Sequence, residues 1–370
     1  MTSVGIDVSA IPDEPRGAGR YVVELVRALA RRGRVELKLE ARRGDADRWA
    51  ALGPSAAVHP VVPESRARRL AWEQLAAPRF VDGWGVDVFH GPHYTMPEVA
   101  RLPKVVTVHD LTFFDHPEWH ERVKVSFFTR AIKVAAKRAD AIVCVSEPTA
   151  RRLGELLSPR ARVVVVPHGV DHDAFGPGDP GDDADARRAL GVSGRYLAFV
   201  GTIEPRKNLL GLLRAFESLA AIVDDVSLVI AGGRGWGSGD FERALAVSPH
   251  RDRIVRTGYV PDASVPALLR GAEAVVYPAF AEGFGLPALE ALACGTTVVT
   301  TAGSVMDEIA AGAAVTVPAG DVAALAEALA GVLHAPDESR VERGLAVARR
   351  HTWDASAAAH EALYAEVAGR

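Results

Sequence analysis

Short apolar, β-branched runs alternate with longer stretches of helical period along the whole chain. Such runs are typical of parallel strands buried on both faces, with the helical stretches as crossover connections. In the first half the pattern predicts strands at residues 4–8, 35–39, 86–90, 104–109, 141–145 and 162–166. In the second half it predicts strands at residues 196–200, 227–231, 254–257, 274–277, 297–301 and 314–317. The sequence therefore predicts an α/β chain with two doubly wound domains.

A segment rich in Gly, Pro and Asp, residues 175–185, separates the two halves. It reads FGPGDPGDDAD and offers nothing to bury, so we expect it to be a linker. The length of 370 residues agrees, because it exceeds what one hydrophobic core usually organises. The predicted domains are residues 1–174 and 186–351.

Composition favours a cytoplasmic protein. No run of about 18 apolar residues occurs, and the amino terminus lacks a basic segment followed by an apolar one, so neither a spanning helix nor a secretory signal is indicated. The two cysteines, Cys144 and Cys294, lie in apolar or small-residue segments. This favours two buried thiols over a disulfide or a zinc site.

The net charge of -4 is unevenly distributed, since residues 1–170 hold more Lys and Arg than Asp and Glu, and residues 171–370 hold fewer. A basic first half favours an anionic acceptor or a membrane surface, and an ordinary solvated surface explains it equally well. Residues 121–138 mix basic and apolar positions, which fits either contact with anionic lipid or a core-facing stripe with a solvated face. No recognisable nucleic-acid-binding module occurs, so a nucleic-acid partner is not expected.

Residues 274–301 carry the strongest candidate site and read as a strand, a glycine-rich loop, a short helix and a second strand. The loop consists of Gly283, Phe284, Gly285 and Leu286. It leads into a helix amino terminus, whose N–H groups and positive dipole end suit a phosphate. Glu282 before the loop can accept hydrogen bonds from sugar hydroxyls, and Glu290 in the helix can accept them from a ribose diol.

Taken alone, two carboxylates beside a tight turn are more typical of surface charges. The segment EGFGLPALEALACGTTVVTT, however, closely resembles the signature of retaining glycosyltransferases of family 4, with its two glutamates separated by seven residues. In that family the first glutamate holds the donor sugar and the second holds the nucleotide ribose, which implies these roles for Glu282 and Glu290. The resemblance also implies the GT-B architecture, in which two Rossmann-like domains face each other across a cleft and the N-terminal domain lies on the acceptor side.

The segment GTIEPRKN follows the predicted strand at 196–200. Adjacent cations after a strand suit a diphosphate, although a solvated turn with a helix cap at Asn208 is the commoner meaning. The segment resembles the phosphate-binding segment of the same family. The resemblance implies that Arg206 and Lys207 stabilise the leaving diphosphate.

His109 ends a predicted strand and is followed by Asp110. A lone histidine at a strand end is more often a packing or hydrogen-bonding residue than a catalyst. The family places a histidine at this position beside the donor sugar. The resemblance therefore implies that His109 contacts the sugar rather than transferring a proton, and it implies a weaker role for Asp110.

Three further segments match parts of the family pattern. Gly17 and Gly19 open the first long helix, where they suit either an anion or a plain turn, and the family closes such a loop over the donor phosphate or the acceptor. Val260 lies in a segment resembling the family loop that reads the nucleotide base through backbone groups. Residues 352–370 resemble the final helix, which returns to the first domain.

Two positions depart from the family pattern. His168 stands where the family's Asn-Gly-Val-Asp turn has Asn, and Asp307-Glu308 stands where Pro-Glu is common. Neither departure removes an expected contact with the donor phosphate or sugar.

These features predict a retaining, mannosyltransferase-like hexosyltransferase that uses a nucleotide-diphosphate sugar. The style of GTIEPRKN favours GDP-mannose over UDP-glucose or UDP-N-acetylglucosamine. The acceptor is expected to be a hydroxyl of a glycan, a glycolipid or a small molecule. No cofactor is expected, and no metal either, because no Asp-x-Asp motif accompanies the donor segment. We expect the protein in the cytoplasm, and residues 121–138 leave open a peripheral position at the inner face of the membrane.

Three other functions remain open on the same residues. A nucleotide-sugar epimerase of the same architecture would use two acid and base carboxylates. A protein that binds nucleotide sugars without turnover would keep the donor site alone. A nicotinamide oxidoreductase would need the third glycine of the dinucleotide fingerprint, which the loop around Gly17 and Gly19 lacks.

Overall fold

The computed structural model describes residues 1–52, 55–178 and 183–369. It divides the chain into two units. Unit 1 consists of Met1–Pro117, Arg122–Gly169 and Trp353–Arg370, and unit 2 consists of Glu118–Glu121 and Val170–Thr352. Each unit is built around one parallel sheet with helices as crossovers.

Unit 1 contains a seven-stranded sheet in the order β3-β2-β1-β4-β5-β6-β7. The strands are β1 (Ser3–Asp7), β2 (Glu36–Arg42), β3 (Ala56–Val62), β4 (Val88–Gly91), β5 (Lys104–Val108), β6 (Ala141–Cys144) and β7 (Arg162–Val165). The helices are α1 (Ala18–Arg32), α2 (Ala46–Ala50), α3 (Arg66–Leu75), α4 (Ala77–Asp82), α5 (Thr112–Asp115), α6 (Arg122–Arg138) and α7 (Glu147–Leu157). The central strands β4, β5 and β6 are buried at every position, which explains why their sequences are mostly apolar.

Unit 2 contains a six-stranded sheet in the order β10-β9-β8-β11-β12-β13. The strands are β8 (Arg195–Val200), β9 (Val226–Ala231), β10 (Ile254–Gly258), β11 (Ala274–Tyr277), β12 (Val298–Thr301) and β13 (Val315–Val317). The helices are α8 (Ala184–Ala189), α9 (Leu209–Ala220), α10 (Gly239–Ala246), α11 (Val265–Arg270), α12 (Leu286–Ala293), α13 (Val305–Ala310), α14 (Val322–His334) and α15 (Glu338–Arg350). The last helix, α16 (Trp353–Ala368), belongs to unit 1, where it packs against α1.

The predicted fold class is confirmed, since all the paired strands within each sheet are parallel. The sequence pattern missed β3, which is the edge strand beside β2. This strand contains His59 and Pro60 and is largely only half-buried. Proline is tolerated on an edge strand because no neighbour needs its missing N–H, so the apolar signal there is weak.

The segment predicted as a linker, residues 175–185, was expected to bury no side chain. Residues 179–182 of it lie outside the described residues, and its described residues belong to unit 2. Phe175 is only 1% exposed, and Asp183 is held by Arg270 at 2.6 Å. The expectation that this segment has nothing to bury was therefore wrong, because one aromatic side chain among Gly and Pro residues is enough to anchor it.

Each sheet has a point where the strand order reverses, between β1 and β4 in unit 1 and between β8 and β11 in unit 2. In open parallel sheets, ligands bind beyond the carboxyl ends of the two strands at such a switch point. In unit 2 these ends lead into the segments that contain Arg206 and Glu282. In unit 1 they lead into the loop before α1 and the loop after β4.

Candidate active site

The loop after β8 places Arg206 and Lys207 in a short 3-10 turn, Pro205–Lys207. Asn208 then adopts a left-handed conformation, and its Oδ1 accepts a hydrogen bond from the Gly211 backbone N–H at 3.2 Å. This cap starts α9 at the expected place. The turn therefore fixes the backbone of both cations at the carboxyl edge of the sheet.

The loop after β11 ends at Gly285, whose φ of 92° lies in the left-handed region. A Cβ added at Gly285 would lie 2.4 Å from Cγ of Met306, so both the conformation and the space require glycine. Helix α12 begins directly after it, with Pro287 in the first turn. The amino end of α12 thus faces the same edge of the sheet as the cations.

The two loops are joined by hydrogen bonds and ion pairs. The backbone N–H of Phe280 donates to the Arg206 carbonyl at 2.8 Å. Nη1 of Arg206 lies 2.6 Å from Oε2 of Glu282, and Nζ of Lys207 lies 3.8 Å from Oε1 of the same carboxylate. The structure thus brings together Arg206, Lys207 and Glu282, three residues that the sequence singled out separately.

Glu204 completes this ionic cluster and was not predicted. Nε of Arg206 donates to Oε2 of Glu204 at 2.8 Å, so the guanidinium is held between two carboxylates. A single acidic residue two positions before an arginine carries no sequence signal that separates it from an ordinary surface charge. We refer to Glu204, Arg206, Lys207 and Glu282 as the ionic cluster.

Burial and the neighbouring charges together set the protonation of the ionic cluster. Burial lowers the pKa of Lys207, whose ammonium lies over the Tyr277 ring at 5.5 Å from the centroid. Burial alone would raise the pKa of Glu282, but the charges of Arg206 and Lys207 outweigh it and the pKa is lowered. Glu282 is therefore an ionised carboxylate at neutral pH, only 12% exposed in its side chain.

Glu290 lies inside α12 and is buried, at 3% exposure. Burial, with the nearby carboxylate of Glu282 and more weakly that of Glu290, raises the pKa of Tyr277 well above its usual value. Phe284 in the loop and Val260 after β10 are buried as well. Their predicted contacts with a nucleotide stay predictions.

In unit 1, His109 follows β5 and is 7% exposed. Its Nε2 lies 2.8 Å from the Pro92 carbonyl oxygen, which can only accept, so Nε2 carries the hydrogen. Burial lowers the pKa of His109, so the ring is neutral and Nδ1 keeps a lone pair. This tautomer offers a hydrogen-bond acceptor and makes His109 a weak base.

A chain of hydrogen bonds runs behind His109 through five side chains. Nδ1 of His360 lies 2.8 Å from the Ser356 carbonyl and must donate to it, so Nε2 accepts from Tyr21 at 3.0 Å. Tyr21 in turn accepts from Thr107 at 3.0 Å, Thr107 accepts from Nε2 of His90 at 2.8 Å, and Nδ1 of His90 accepts from Tyr364 at 2.7 Å. One backbone carbonyl therefore fixes the direction of every hydrogen bond in the chain.

This chain connects α16 to the strands that carry the site, and sequence reasoning missed it. Tyr21 packs its ring edge against His109 at 5.1 Å between centroids. The residues of the chain are separated by up to 339 positions, so no local pattern indicates their contact. His168, noted as a departure from the family pattern, packs on Tyr21 at 4.7 Å and on Trp353 at 5.7 Å.

The remaining predicted residues of unit 1 lie at the same edge of the sheet. Gly17 is the residue before α1, with a φ of 50°, and Gly19 is buried in its first turn. The carboxylate of Asp110 accepts from the backbone N–H of Thr112 at 3.1 Å and from its hydroxyl at 2.8 Å. Asp110 is thus engaged in starting α5, which gives it a local structural role.

Helix α6 buries Ile132, Ala135 and Ala136 and exposes basic residues such as Lys133 and Lys137 on its other face. The stripe predicted to face the core is therefore present, and contact with a membrane stays a prediction. None of the helices in the described part of the chain combines the length and the apolar composition that crossing a bilayer requires. Cys144 and Cys294 are buried free thiols, as predicted.

Comparisons with known families match both units. The model of glycosyl transferases group 1 matches residues 182–346, and that of glycosyltransferase family 4 matches residues 15–174. The O-antigen chain mannosyltransferase B of Escherichia coli is 30% identical over 72% of this chain and 71% of its own. A D-inositol 3-phosphate glycosyltransferase of Actinosynnema mirum is 31% identical over 95% of this chain and 92% of its own.

Solved structures share the fold across the whole chain. The sucrose-phosphate synthase of Thermosynechococcus elongatus superposes with a TM-score of 0.80 at 19% identity, covering 99% of both chains. HepE of Anabaena, solved with UDP and glucose, gives a TM-score of 0.78 at 17% identity, covering 99% of this chain and 100% of its own. WaaG, a glycosyltransferase of lipopolysaccharide biosynthesis, gives 0.77 at 16% identity, covering 98% and 99%. Because these sequence identities are low, the three structures show only that the fold is shared.

Proposed function

The chain belongs to the family of group 1 glycosyl transferases, and from that premise we propose that it is a retaining hexosyltransferase that uses a nucleotide-diphosphate sugar. GDP-mannose is the favoured donor, and the acceptor is a hydroxyl of a glycan, a glycolipid or a small molecule. The mannosyltransferase among its relatives supports mannose as the transferred sugar. The fold shared with HepE, which was solved with UDP-glucose, supports a nucleotide-sugar donor.

The ionic cluster is the observation that carries this proposal. It lies beyond the carboxyl ends of β8 and β11, at the switch point where open sheets of this kind bind ligands. It combines two cations with the ionised carboxylate of Glu282, and the amino end of α12 lies at the same edge of the sheet. A diphosphate needs the cations and the helix end, and a sugar diol needs the carboxylate.

In the proposed reaction, the bond between the anomeric carbon and the diphosphate oxygen breaks while the acceptor oxygen attacks from the same face. Negative charge develops on the diphosphate, where Arg206 and Lys207 stabilise it. The leaving phosphate oxygen accepts the proton of the acceptor hydroxyl, so no separate base and no protein nucleophile take part. The positive charge comes from side chains, and the reaction is proposed to be independent of metal.

Glu282 is proposed to orient the sugar rather than to react with it. One of its oxygens faces Arg206 at 2.6 Å, while Oε1 accepts no hydrogen bond within the described ranges and lies 3.8 Å from Lys207. That oxygen has capacity for a sugar hydroxyl. Glu290 is proposed to hold the ribose, and His109 to accept a hydrogen bond from the sugar through Nδ1.

Product analysis tests the reaction. The protein is incubated with GDP-mannose, UDP-glucose or UDP-N-acetylglucosamine, with EDTA present and with and without an acceptor mixture, and released nucleotide and sugar products are followed by NMR. The proposal predicts release of nucleoside diphosphate, retention at the anomeric carbon and no loss of rate in EDTA. An epimerised donor formed without acceptor would indicate an epimerase. Binding without any turnover would indicate a non-catalytic binder, and an inverted product would refute retention.

A further inference from the structure

Trp236 is an exposed aromatic residue in the loop between β9 and α10. It is 55% exposed, although tryptophan is one of the residue types that are most buried on average. Among the described residues, no hydrogen bond, ring contact or cation–π contact involves its indole. Single exposed apolar residues are common on protein surfaces, so exposure by itself assigns no role. What distinguishes Trp236 is the position of its loop, next to the ionic cluster.

The loop after β9 is joined to the loop after β8, which carries most of the ionic cluster. The backbone N–H of Gly235 donates to the Ile203 carbonyl at 3.1 Å, and the N–H of Ile203 donates to the Gly233 carbonyl at 3.0 Å. Ile203 and Arg234 also form a short parallel bridge. The pairing of β8 with β9 thus continues into the two loops and fixes the backbone on both sides of the contact.

The two neighbours of Trp236 in the chain lie directly against the ionic cluster and the residue next to it. A Cβ added at Gly235 would lie 2.8 Å from Cγ of Glu204, and one added at Gly237 would lie 2.7 Å from Cγ of Pro205. Only glycine permits such a close approach. The indole between these glycines is therefore held at the side of the ionic cluster.

Two other aromatic residues lie near the ionic cluster, in the loop after β11. Phe284 is buried and packs against His351, with 6.3 Å between the ring centroids. Phe280 stacks on Trp119, also at 6.3 Å. Among these loop aromatics of the described chain, Trp236 is the one without a ring partner, so it is the one that offers an open face to a ligand.

The order of the strands separates Trp236 from Glu282. Because β9 and β11 lie on opposite sides of β8, the loops that carry these two residues lie on opposite sides of Arg206. In the proposed function, Arg206 stabilises the diphosphate and Glu282 orients the hexose. A base at Trp236 and a hexose at Glu282 then extend from the diphosphate in opposite directions, as the two ends of an extended donor do.

The nucleobase is the part of the donor for which the ionic cluster has no matching group. Cations bind phosphate oxygens and a carboxylate accepts from hydroxyls, whereas a base has planar faces that stack on aromatic rings. We propose that Trp236 stacks on the nucleobase of the donor and so increases the affinity for it. The inference rests on the proposed function, which it makes more specific. Every base has such a face, so Trp236 raises the affinity without choosing between GDP and UDP.

Binding of nucleoside diphosphates to a series of variants tests the proposal. The full-length wild type, Trp236→Phe, Trp236→Leu and Trp236→Ala are titrated with GDP and with UDP by calorimetry. For the nucleotide that the wild type binds, we expect Trp236→Leu and Trp236→Ala to bind about tenfold or more weakly and Trp236→Phe to keep part of the affinity. Leucine keeps apolar bulk without an aromatic face, so equal losses in the Phe and Leu variants would overturn the proposal.

Fluorescence gives a second readout of stacking. A base stacked on an indole quenches its emission, so we expect the emission of the wild type to fall on saturation with the nucleotide. The fall should be largely absent in saturated Trp236→Phe. A fall of equal size in that variant would overturn the proposal, because it would come from the other five of the six tryptophans.

Ile222→Ala is the matched control for the loss of an exposed apolar side chain. Ile222 is 75% exposed just after α9, and because α9 starts at the carboxyl edge of the sheet its end lies at the opposite edge. This variant should bind the nucleotide as the wild type does. Wild-type affinity in Trp236→Ala would overturn the proposal. So would a loss seen only with nucleotide sugars, because it would place Trp236 against the hexose.

The proposed function fails by a different sign. If the wild type binds neither nucleoside diphosphate nor any nucleotide sugar, the donor assignment is wrong and the stacking inference is overturned with it. If the donor binds and turns over while the Trp236 variants bind it as the wild type does, only the stacking inference is wrong.

Discussion

Unit 1 and unit 2 hold their candidate residues by different means. In unit 2, Arg206 and Lys207 are paired with Glu282 and Glu204, and the charges themselves fix the side chains. In unit 1, the side chains around His109 are buried and uncharged, and a directed chain of hydrogen bonds fixes them. A site for a diphosphate needs charge in place before the ligand arrives, whereas a site that contacts hydroxyls needs oriented neutral groups.

The largest effect on activity is expected for a substitution in the ionic cluster of unit 2. Arg206→Ala should lower kcat by about 100-fold or more, because a cation that stabilises the leaving group in a dry site is lost. Arg206→Lys should recover part of the rate, since charge returns without the fork that now joins Glu204 and Glu282. Steady-state kinetics with the best donor measures both. A loss confined to KM, with kcat unchanged, would show that Arg206 only binds the donor.

The second prediction concerns the stability of unit 1 at acidic pH. Six histidines of unit 1 have lowered pKa values with burial as the largest cause: His59, His90, His93, His109, His168 and His360. Such groups stay neutral in the folded state, so the stability they contribute is full above their unfolded pKa of about 6.5 and is lost as pH falls. His360, whose pKa is about 4, accounts for on the order of 3 kcal/mol by itself.

Two carboxyls oppose this effect. Burial raises the pKa of Glu40 to about 8 and that of Glu73 to about 7, and acid favours their folded, protonated form. They are outnumbered by the histidines, so unit 1 should still lose stability between about pH 6.5 and 4. The Glu282 ion pair, with its lowered pKa, weakens only below about pH 4.5. Hydrogen exchange at pH 7 and pH 5 should show α16 opening first, and earlier opening around residues 201–208 would contradict the comparison.

The smallest effect is expected for the hydrogen-bonded chain at neutral pH. Tyr21→Phe keeps the ring beside His109 and removes the hydroxyl between Thr107 and His360, which leaves the buried Thr107 hydroxyl without an acceptor and Nε2 of His360 without a donor. We expect a loss of about 2 kcal/mol in the free energy of unfolding, measured by urea denaturation. Tyr259→Phe, at a tyrosine of unit 2 that is 45% exposed, is the control and should cost much less than Tyr21→Phe. A neutral Tyr21→Phe would show that the chain does not hold unit 1 together.

The fold class could be predicted from the sequence because strands buried in a parallel sheet are largely apolar runs. The prediction missed β3, where Pro60 and half exposure weaken the apolar signal. The sequence also predicted that Arg206, Lys207 and Glu282 lie in loops after strands, which the structure confirms for the loops after β8 and β11, while their roles stay predictions. Their mutual pairing could not be predicted, because it depends on how the loops after β8 and β11 meet in space.

The contacts of unit 1 were harder to predict for a physical reason. His360 bonds Tyr21 across most of the length of the chain, and histidine is as common in packing as in catalysis.

The most direct test of the account is the affinity of the donor measured by calorimetry in three proteins. The wild type, Glu290→Gln and the control Glu327→Gln, an exposed acid on α14, are titrated with GDP-mannose and UDP-glucose. The account predicts that one donor binds the wild type and the control equally, and that Glu290→Gln binds it at least about tenfold more weakly because a charge-assisted bond to the ribose is lost. Equal binding by Glu290→Gln, or no binding of any nucleotide sugar by the wild type, would contradict it.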